Sequence, residues 1–216
     1  MPETEHILVI PESVVDAIGR FDGFCDDVDR YLPAILNSDQ LAFRPRPAME
    51  TDPSFKQLIP YVVLQHTADG GPHLFTYVRG GGGGESRLHA KKSFGIGGHI
   101  DRIDAGLDPV ADPRRDAKID GPTVYQAGMS RELSEEVRID ASYESEIIGL
   151  IYDPSTEVGR VHLGIVHRFI LDQPAVTSLE DDLAGGQFEP VSQITKQRDR
   201  YETWSQLTLE RLIQLR

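Results

Sequence analysis

The chain has 216 residues, 39% hydrophobic and 26% charged, which suits a globular protein of generous size with a substantial core. Its formal charge of -13 at pH 7 argues against a nucleic-acid polymer as partner, because such binders carry a basic footprint, whereas carboxylate clusters that hold metal remain compatible with it. Cys25 is the single cysteine, which excludes an intrachain disulfide and a cysteine-based zinc cluster; with no basic-then-apolar leader and no run of membrane-spanning length, the sequence predicts a cytoplasmic protein with no membrane partner.

In chain order, "HILVIP" predicts a short strand, "ESVVDAIGRF" a helix and "DDVDRYLPAIL" a second helix. Three prolines within Arg44 to Pro53 favour extended or turn structure and mark a junction. Residues 1–57 therefore read as an N-terminal α/β extension that packs on a main domain, 58–216. "LIPYVVLQH" and "HLFTYVR" are β-rich runs joined by "TADGGP", which reads as a hairpin turn. The glycine run from Gly80 lacks the Gly-Lys-Ser/Thr ending of a phosphate-cradling loop and reads as a flexible connector.

"KKSFGIGGHI" follows, a glycine-rich stretch where backbone must turn sharply or approach a neighbour closely. Asp104 to Gly121 is polar and charged and reads as an inserted surface loop, with its insertion at 105–122. A helix then begins near Pro122 or Thr123. "SEIIGLIYD" and "VHLGIVHRFIL" predict two further strands, and "RDRYETWSQLTLERLIQL" a C-terminal helix with Trp204, Leu207, Leu212 and Leu215 among its apolar residues.

The helix after the insertion carries Glu132, Glu135 and Glu136 at i, i+3 and i+4, opposite an apolar stripe of Met129, Leu133 and Val137. Like charges at that spacing destabilise a helix by about 0.2–0.5 kcal/mol per pair, a penalty that a bound cation turns into attraction. From these residues alone, a solvated charged face is the alternative reading.

Taken together, "GIGGHID" and the later "SRELSEEVRI" resemble the Nudix hydrolase signature, G-x5-E-x7-R-E-U-x-E-E-x-G-U with U aliphatic. Gly98 matches the opening glycine, and Arg131, Glu132, Leu133, Glu135, Glu136 and Ile139 match the second half. With its flanking strands the resemblance covers roughly Leu58 to Leu215. There are two departures. Asp104 stands where the first family glutamate belongs when counted from Gly98, but it lies 27 positions before Arg131, so about 19 residues are inserted within the box. Counting back from Arg131 lands instead on Thr123, and Asp104 is the better candidate. The closing glycine is replaced by Arg138, which predicts a different exit from the helix.

The resemblance implies an α/β fold, a Nudix-type α/β/α sandwich around a mixed β-sheet with the N-terminal α/β extension added. It implies a metal-dependent hydrolase of a pyrophosphate bond in a nucleoside diphosphate linked to another moiety; the alternative is a non-catalytic Nudix-fold nucleotide or metabolite sensor. Retention of all three helix glutamates weighs against the sensor. The cofactor would be Mg2+ or Mn2+, since oxygen donors suit hard cations. Glu135 and Glu136 would be the principal ligands, Glu132 would support them, and the Gly97 carbonyl would contribute. Arg131 would complete the catalytic group by holding a glutamate in place. For a small nucleotide-like substrate the candidate binding residues are Arg79, His99, Arg114 and Arg115, with Lys91 and Lys92 as further cations. Glu157, Glu180, Asp181 and Asp182 are candidates for a general base from later loops, and homodimers are frequent in the family.

Overall fold

In the computed structural model, which describes residues 4–68, 70–80, 91–107 and 119–215, the first strand, β1 (His6–Pro11), has Ile7, Leu8, Val9 and Ile10 all buried. Burial on both faces explains why it reads as an unbroken apolar run with no alternation. Helix α1 (Glu12–Ile18) ends at Gly19, whose φ of 140° is costly for any other residue. Strand β2 (Gly23–Cys25) is too short to leave a periodic trace in the sequence. Helix α2 (Val28–Leu36) buries Tyr31, Ile35 and Leu36.

The proline-rich junction is partly helical. Its extended half is β3 (Ala42–Pro45), and α3 (Arg46–Met49) follows directly. A proline in the first turn of a helix removes no intrahelical hydrogen bond, so Pro47 is tolerated there. The Arg46 side chain bonds Glu5 and Glu50 and ties this turn to the start of the chain.

Strands β4 (Phe55–Ala68) and β5 (Gly71–Arg79) form the predicted hairpin, with Ala68 opposite Gly71. β6 (Lys92–Ser93) and β7 (Gly95–Ile96) come next, and a 3-10 turn spans Arg102–Ala105. Helix α4 (Gly121–Glu136) carries the glutamates. Asp120 accepts a hydrogen bond from the Thr123 hydroxyl (2.8 Å) and its carbonyl accepts from the Val124 N–H, so the helix starts within two residues of the expected place. The glycine run from 81 onward and the core of the insertion, with Arg114 and Arg115, lie outside the described residues.

The remaining elements are β8 (Val137–Ile139), β9 (Tyr143–Tyr152), β10 (His162–Leu171), β11 (Val176–Ser178), β12 (Leu183–Pro190), α5 (Val191–Lys196) and α6 (Thr203–Gln214). The last helix starts later than the sequence pattern suggests. Glu202 accepts hydrogen bonds from the N–H groups of Trp204 and Ser205 and so fixes the first turn, while Arg198–Arg200 forms a separate 3-10 turn.

The fold is α/β with a large mixed sheet. Two compact units divide the chain: Met1–Pro60 with Gly98–Glu132 and Gly149–Ile165, and Tyr61–Gly97 with Leu133–Ile148 and Val166–Arg216. In the first unit β1 pairs with β3 and with the start of β4, and β2 pairs with the end of β9. Ile7, Val9 and Met49 form a core cluster there, with Phe55 packed against it. In the second unit β5 lies between β12 and β4, β6 pairs with β5, β7 pairs with β4, and β8 pairs with β11. The predicted close approach is at Gly95, where an added Cβ would sit inside the Tyr61 ring. The Tyr61 hydroxyl donates to Glu202 (2.6 Å) within that unit's polar core.

Candidate functional site

Within the first unit, Gly98 and the stretch of α4 from Gly128 to Glu132 meet closely. An added Cβ at Gly98 would collide with the Glu132 carboxylate, so the absent side chain is the space in which Glu132 lies. At Gly128, one helix turn earlier, an added Cβ would come within 2.6 Å of Ile100 Cδ1 and 2.7 Å of Asp104 Oδ2. Two glycines, one on the loop and one on the helix, thus allow backbone and carboxylate to approach at contact distance.

Arg131 is the hub of this contact. Its Nε donates to Asp104 Oδ1 (2.8 Å) and its Nη2 to Asp104 Oδ2 (3.0 Å), a two-pronged pairing. Nη1 donates to Glu132 Oε1 (2.8 Å) and Nη2 also donates to the His99 carbonyl (2.9 Å). The hydrogen bond to Asp104, aided by Glu132, holds the guanidinium well above its ordinary range in spite of burial. Asp104 is in turn fixed by the N–H of Asp101, in a reciprocal cap on the 3-10 turn. Of the two positions that sequence spacing offers, Asp104, the preferred one, bonds Arg131, while the Thr123 hydroxyl bonds Asp120.

His99 follows the glycines and is half-buried. Its Nε2 is 2.8 Å from Gln57 Oε1 and 3.4 Å from His162 Nε2, and the two imidazole rings lie 5.5 Å apart. Burial, with Arg46 and His162 adding to it, pushes the His99 imidazole down to about 2, so it is neutral across the physiological range. His162 is lowered for the same principal reason. Neither Gln57 nor His162 was visible as a site residue in the sequence, because both sit in ordinary-looking strand segments.

In the second unit, Glu135 is exposed and Glu136 half-buried on the last turn of α4. Arg79, at the end of β5, is raised above its ordinary value: burial opposes its charge, but Tyr77, Glu202, Tyr61 and Glu136 outweigh that. The substrate candidate Arg79 thus feels the field of the ligand candidate Glu136. Lys91 donates to the Asp199 carbonyl (2.7 Å) and Lys92 pairs with Glu189 (2.6 Å), which engages both of these cations with the protein itself. The exit of α4 differs from a glycine-terminated helix: the chain passes from Glu136 directly into β8, where Arg138 pairs with Thr177 of β11. Sheet pairing replaces the turn that a closing glycine would make.

As a donor set, Glu132, Glu135 and Glu136 offer hard carboxylate oxygens at i, i+3 and i+4 of one helix, which fits Mg2+ or Mn2+ better than softer metals. Among the described residues no three His, Cys, Asp or Glu side chains are gathered into a ready cage. Mg2+ is ordinarily held by one or two carboxylates, substrate phosphates and water, so the residues present fit such an ion without a closed cage.

The fold is that of Nudix proteins, and it brings together a glycine-backed glutamate, an arginine fork and a glutamate-bearing helix that leads into a strand. The chain is 36% identical over 217 residues to Protein YmaB of Bacillus subtilis (strain 168), covering 95% of this chain and 96% of that protein. It is also similar to the crystal structure of Tm1382, a candidate Nudix hydrolase, at a TM-score of 0.74 and 28% identity, covering 98% of this chain and all of that one. No family profile matches the chain.

Proposed function

We propose that the protein is a divalent-metal-dependent hydrolase of the pyrophosphate bond in a nucleoside diphosphate linked to another moiety. The observation that carries this reading is the Arg131 fork, which binds Asp104 with two prongs and Glu132 with a third while Glu132 rests on the bare Gly98 backbone. A solvated acidic face has no use for such a construction. In this reading Glu135 and Glu136 are the principal ligands, Glu132 and the Gly97 carbonyl support them, and Arg131 acts as the group that orients Glu132. A bound Mg2+ or Mn2+ supplies neutralisation of phosphate charge and an activated water.

In this reading Arg79 offsets charge on the substrate diphosphate, which its position in the field of Glu136 supports. His99, being neutral, would contribute hydrogen bonding and no charge. Arg114 and Arg115 belong to the insertion and are proposed as further phosphate contacts. Among the described residues no helix is long and apolar enough to cross a membrane; a cytoplasmic site of action and a homodimer are part of the proposal. So is the division into an N-terminal extension, 1–57, and a Nudix domain, 58–216.

The test is a panel of nucleotide sugars, dinucleoside polyphosphates, NADH, coenzyme A and nucleoside triphosphates with Mg2+ or Mn2+. Turnover of one class, abolished in Glu135→Gln and in Glu136→Gln, is the expected result. Tight binding of a panel member with no turnover would favour a sensor, and wild-type turnover in both variants would remove the metal assignment.

A further inference from the structure

We infer that Gln57 is a positioning residue for the catalytic segment, and that through it the N-terminal part of the chain sets the geometry of the Gly98–His99 backbone. The inference rests on the functional reading above for its kinetic consequence, but not for its structural one.

Gln57 has no exposed surface, and both ends of its amide are committed. Its Nε2 donates to the Met49 carbonyl at the end of α3 (3.2 Å). That bond fixes which way the amide faces, so Oε1 points to His99 and can only accept. His99 must then carry its proton on Nε2, which donates to Gln57 Oε1 over 2.8 Å, and Nδ1 holds the lone pair. His162 completes the arrangement. Its Nδ1 donates to the Val158 carbonyl (2.8 Å), so the Nε2 that faces His99 across 3.4 Å is unprotonated and cannot compete for Gln57.

The backbone is held as firmly as the ring. The Leu8 N–H donates to the Ile100 carbonyl (2.8 Å), and Ile7 bridges Asp101, so β1 lies along the segment that follows His99. Gln57 itself pairs with Val9 of β1 and donates its own N–H to the Val161 carbonyl (2.8 Å). The His99 carbonyl receives Arg131 Nη2, the same guanidinium that orients Glu132. A continuous chain of contacts therefore runs from Met49 through Gln57 and His99 to Arg131 and Glu132, all inside one unit. A fully buried amide needs partners at both ends, and here its acceptor end selects a tautomer at the residue next to the glycine that backs Glu132.

The experiment uses the full chain with 15N-labelled histidine. The expected wild-type result near neutral pH is a His99 ring protonated on Nε2 alone, read from its imidazole nitrogen shifts. Gln57→Leu keeps the volume and removes both bonds; it should redistribute the His99 tautomers and lower kcat by about 10–100-fold with little change in KM, the range seen when an outer partner of a metal site is removed. His162→Phe should leave the tautomer unchanged, because Gln57 remains. A wild-type His99 protonated on Nδ1 overturns the inference, as does a folded Gln57→Leu protein with unaltered tautomer or kcat. If Gln57→Leu does not fold, the wild-type tautomer decides. A wild-type protein that hydrolyses nothing would defeat the functional reading alone, since the tautomer is measured without turnover.

Discussion

Arg131 and Asp104 are joined by two hydrogen bonds, 2.8 and 3.0 Å, across 27 positions of sequence. The Asp104 side chain is 4% exposed and that of Arg131 23%, so the pair is partly desolvated and the carboxylate almost wholly so. Removing one partner of such a pair strands the other. Asp104→Ala is expected to cost about 3–5 kcal/mol of stability, read as a shift in the urea midpoint, and to release Arg131 from its orientation of Glu132. Thr123→Ala, at the competing position, loses only an exposed bond to Asp120 and should cost about 1 kcal/mol or less. Equal costs for the two variants would contradict the assignment of Asp104.

Gly98 and Gly95 stand three residues apart yet should fail in different ways. At Gly98 an added Cβ meets the end of a flexible glutamate, which can swing aside. Gly98→Ala should therefore fold with near wild-type Tm while losing turnover by about 100-fold, the effect of misplacing a functional group by about 1 Å. At Gly95 the Cβ meets the rigid Tyr61 ring, whose hydroxyl is fixed by Glu202 and Ser205. Gly95→Ala should lose about 3 kcal/mol of stability or more. Calorimetry and a turnover assay on the same two preparations separate these outcomes.

Acid should weaken the protein through Glu189. Burial raises this carboxyl, but hydrogen bonds from Lys92, Tyr201 and Gln187 outweigh it and hold the group below its ordinary value of 4.5. A depressed carboxyl contributes stability that is fully present above the unfolded value and is lost as pH falls through the folded one. The contribution should therefore be constant from neutrality down to about pH 5 and decline below 4.5. Glu189→Gln should remove this part of the acid dependence, so that the pH profile of Tm is flatter below pH 4.5 than in the wild type.

Arg102 is 5% exposed, and its Nε is buried with no hydrogen-bond partner among the described residues. A buried N–H without a partner destabilises the folded state. Arg102→Met preserves most of the stem packing and removes the charge; a gain of about 1 kcal/mol, or roughly 2–4 °C in Tm, is expected. A fall in Tm of that size would show that the guanidinium is compensated.

The sequence by itself determined the elements whose pattern is local and long. The β4–β5 hairpin, β9, β10 and α4 all occupy the stretches in which periodicity and turn residues place them. The burial of Met129 and Leu133 also followed from spacing on a helix, whereas Val137, assigned to the same stripe, is buried as the first residue of β8. So did the family, because glycine and glutamate order survives an insertion even when the spacing does not. Elements of three or four residues, such as β2, α3, β8 and β11, were decided by tertiary pairing, since so few residues carry no period of their own.

The partners in the site were decided only in three dimensions. Counting residues favours Asp104 over Thr123 for the place of the first family glutamate but gives neither a partner, because a count cannot tell where an insertion leaves the path of the chain. The 3-10 turn at Arg102–Ala105 resolves it by presenting Asp104 to the guanidinium before the insertion begins. In the same way Arg138 signals a missing glycine, but only the β8–β11 pairing shows what takes the place of that turn. Gln57 and His162 acquire their roles from strands that lie far from His99 in sequence, and hydrogen bonds between distant strands leave no mark on local composition.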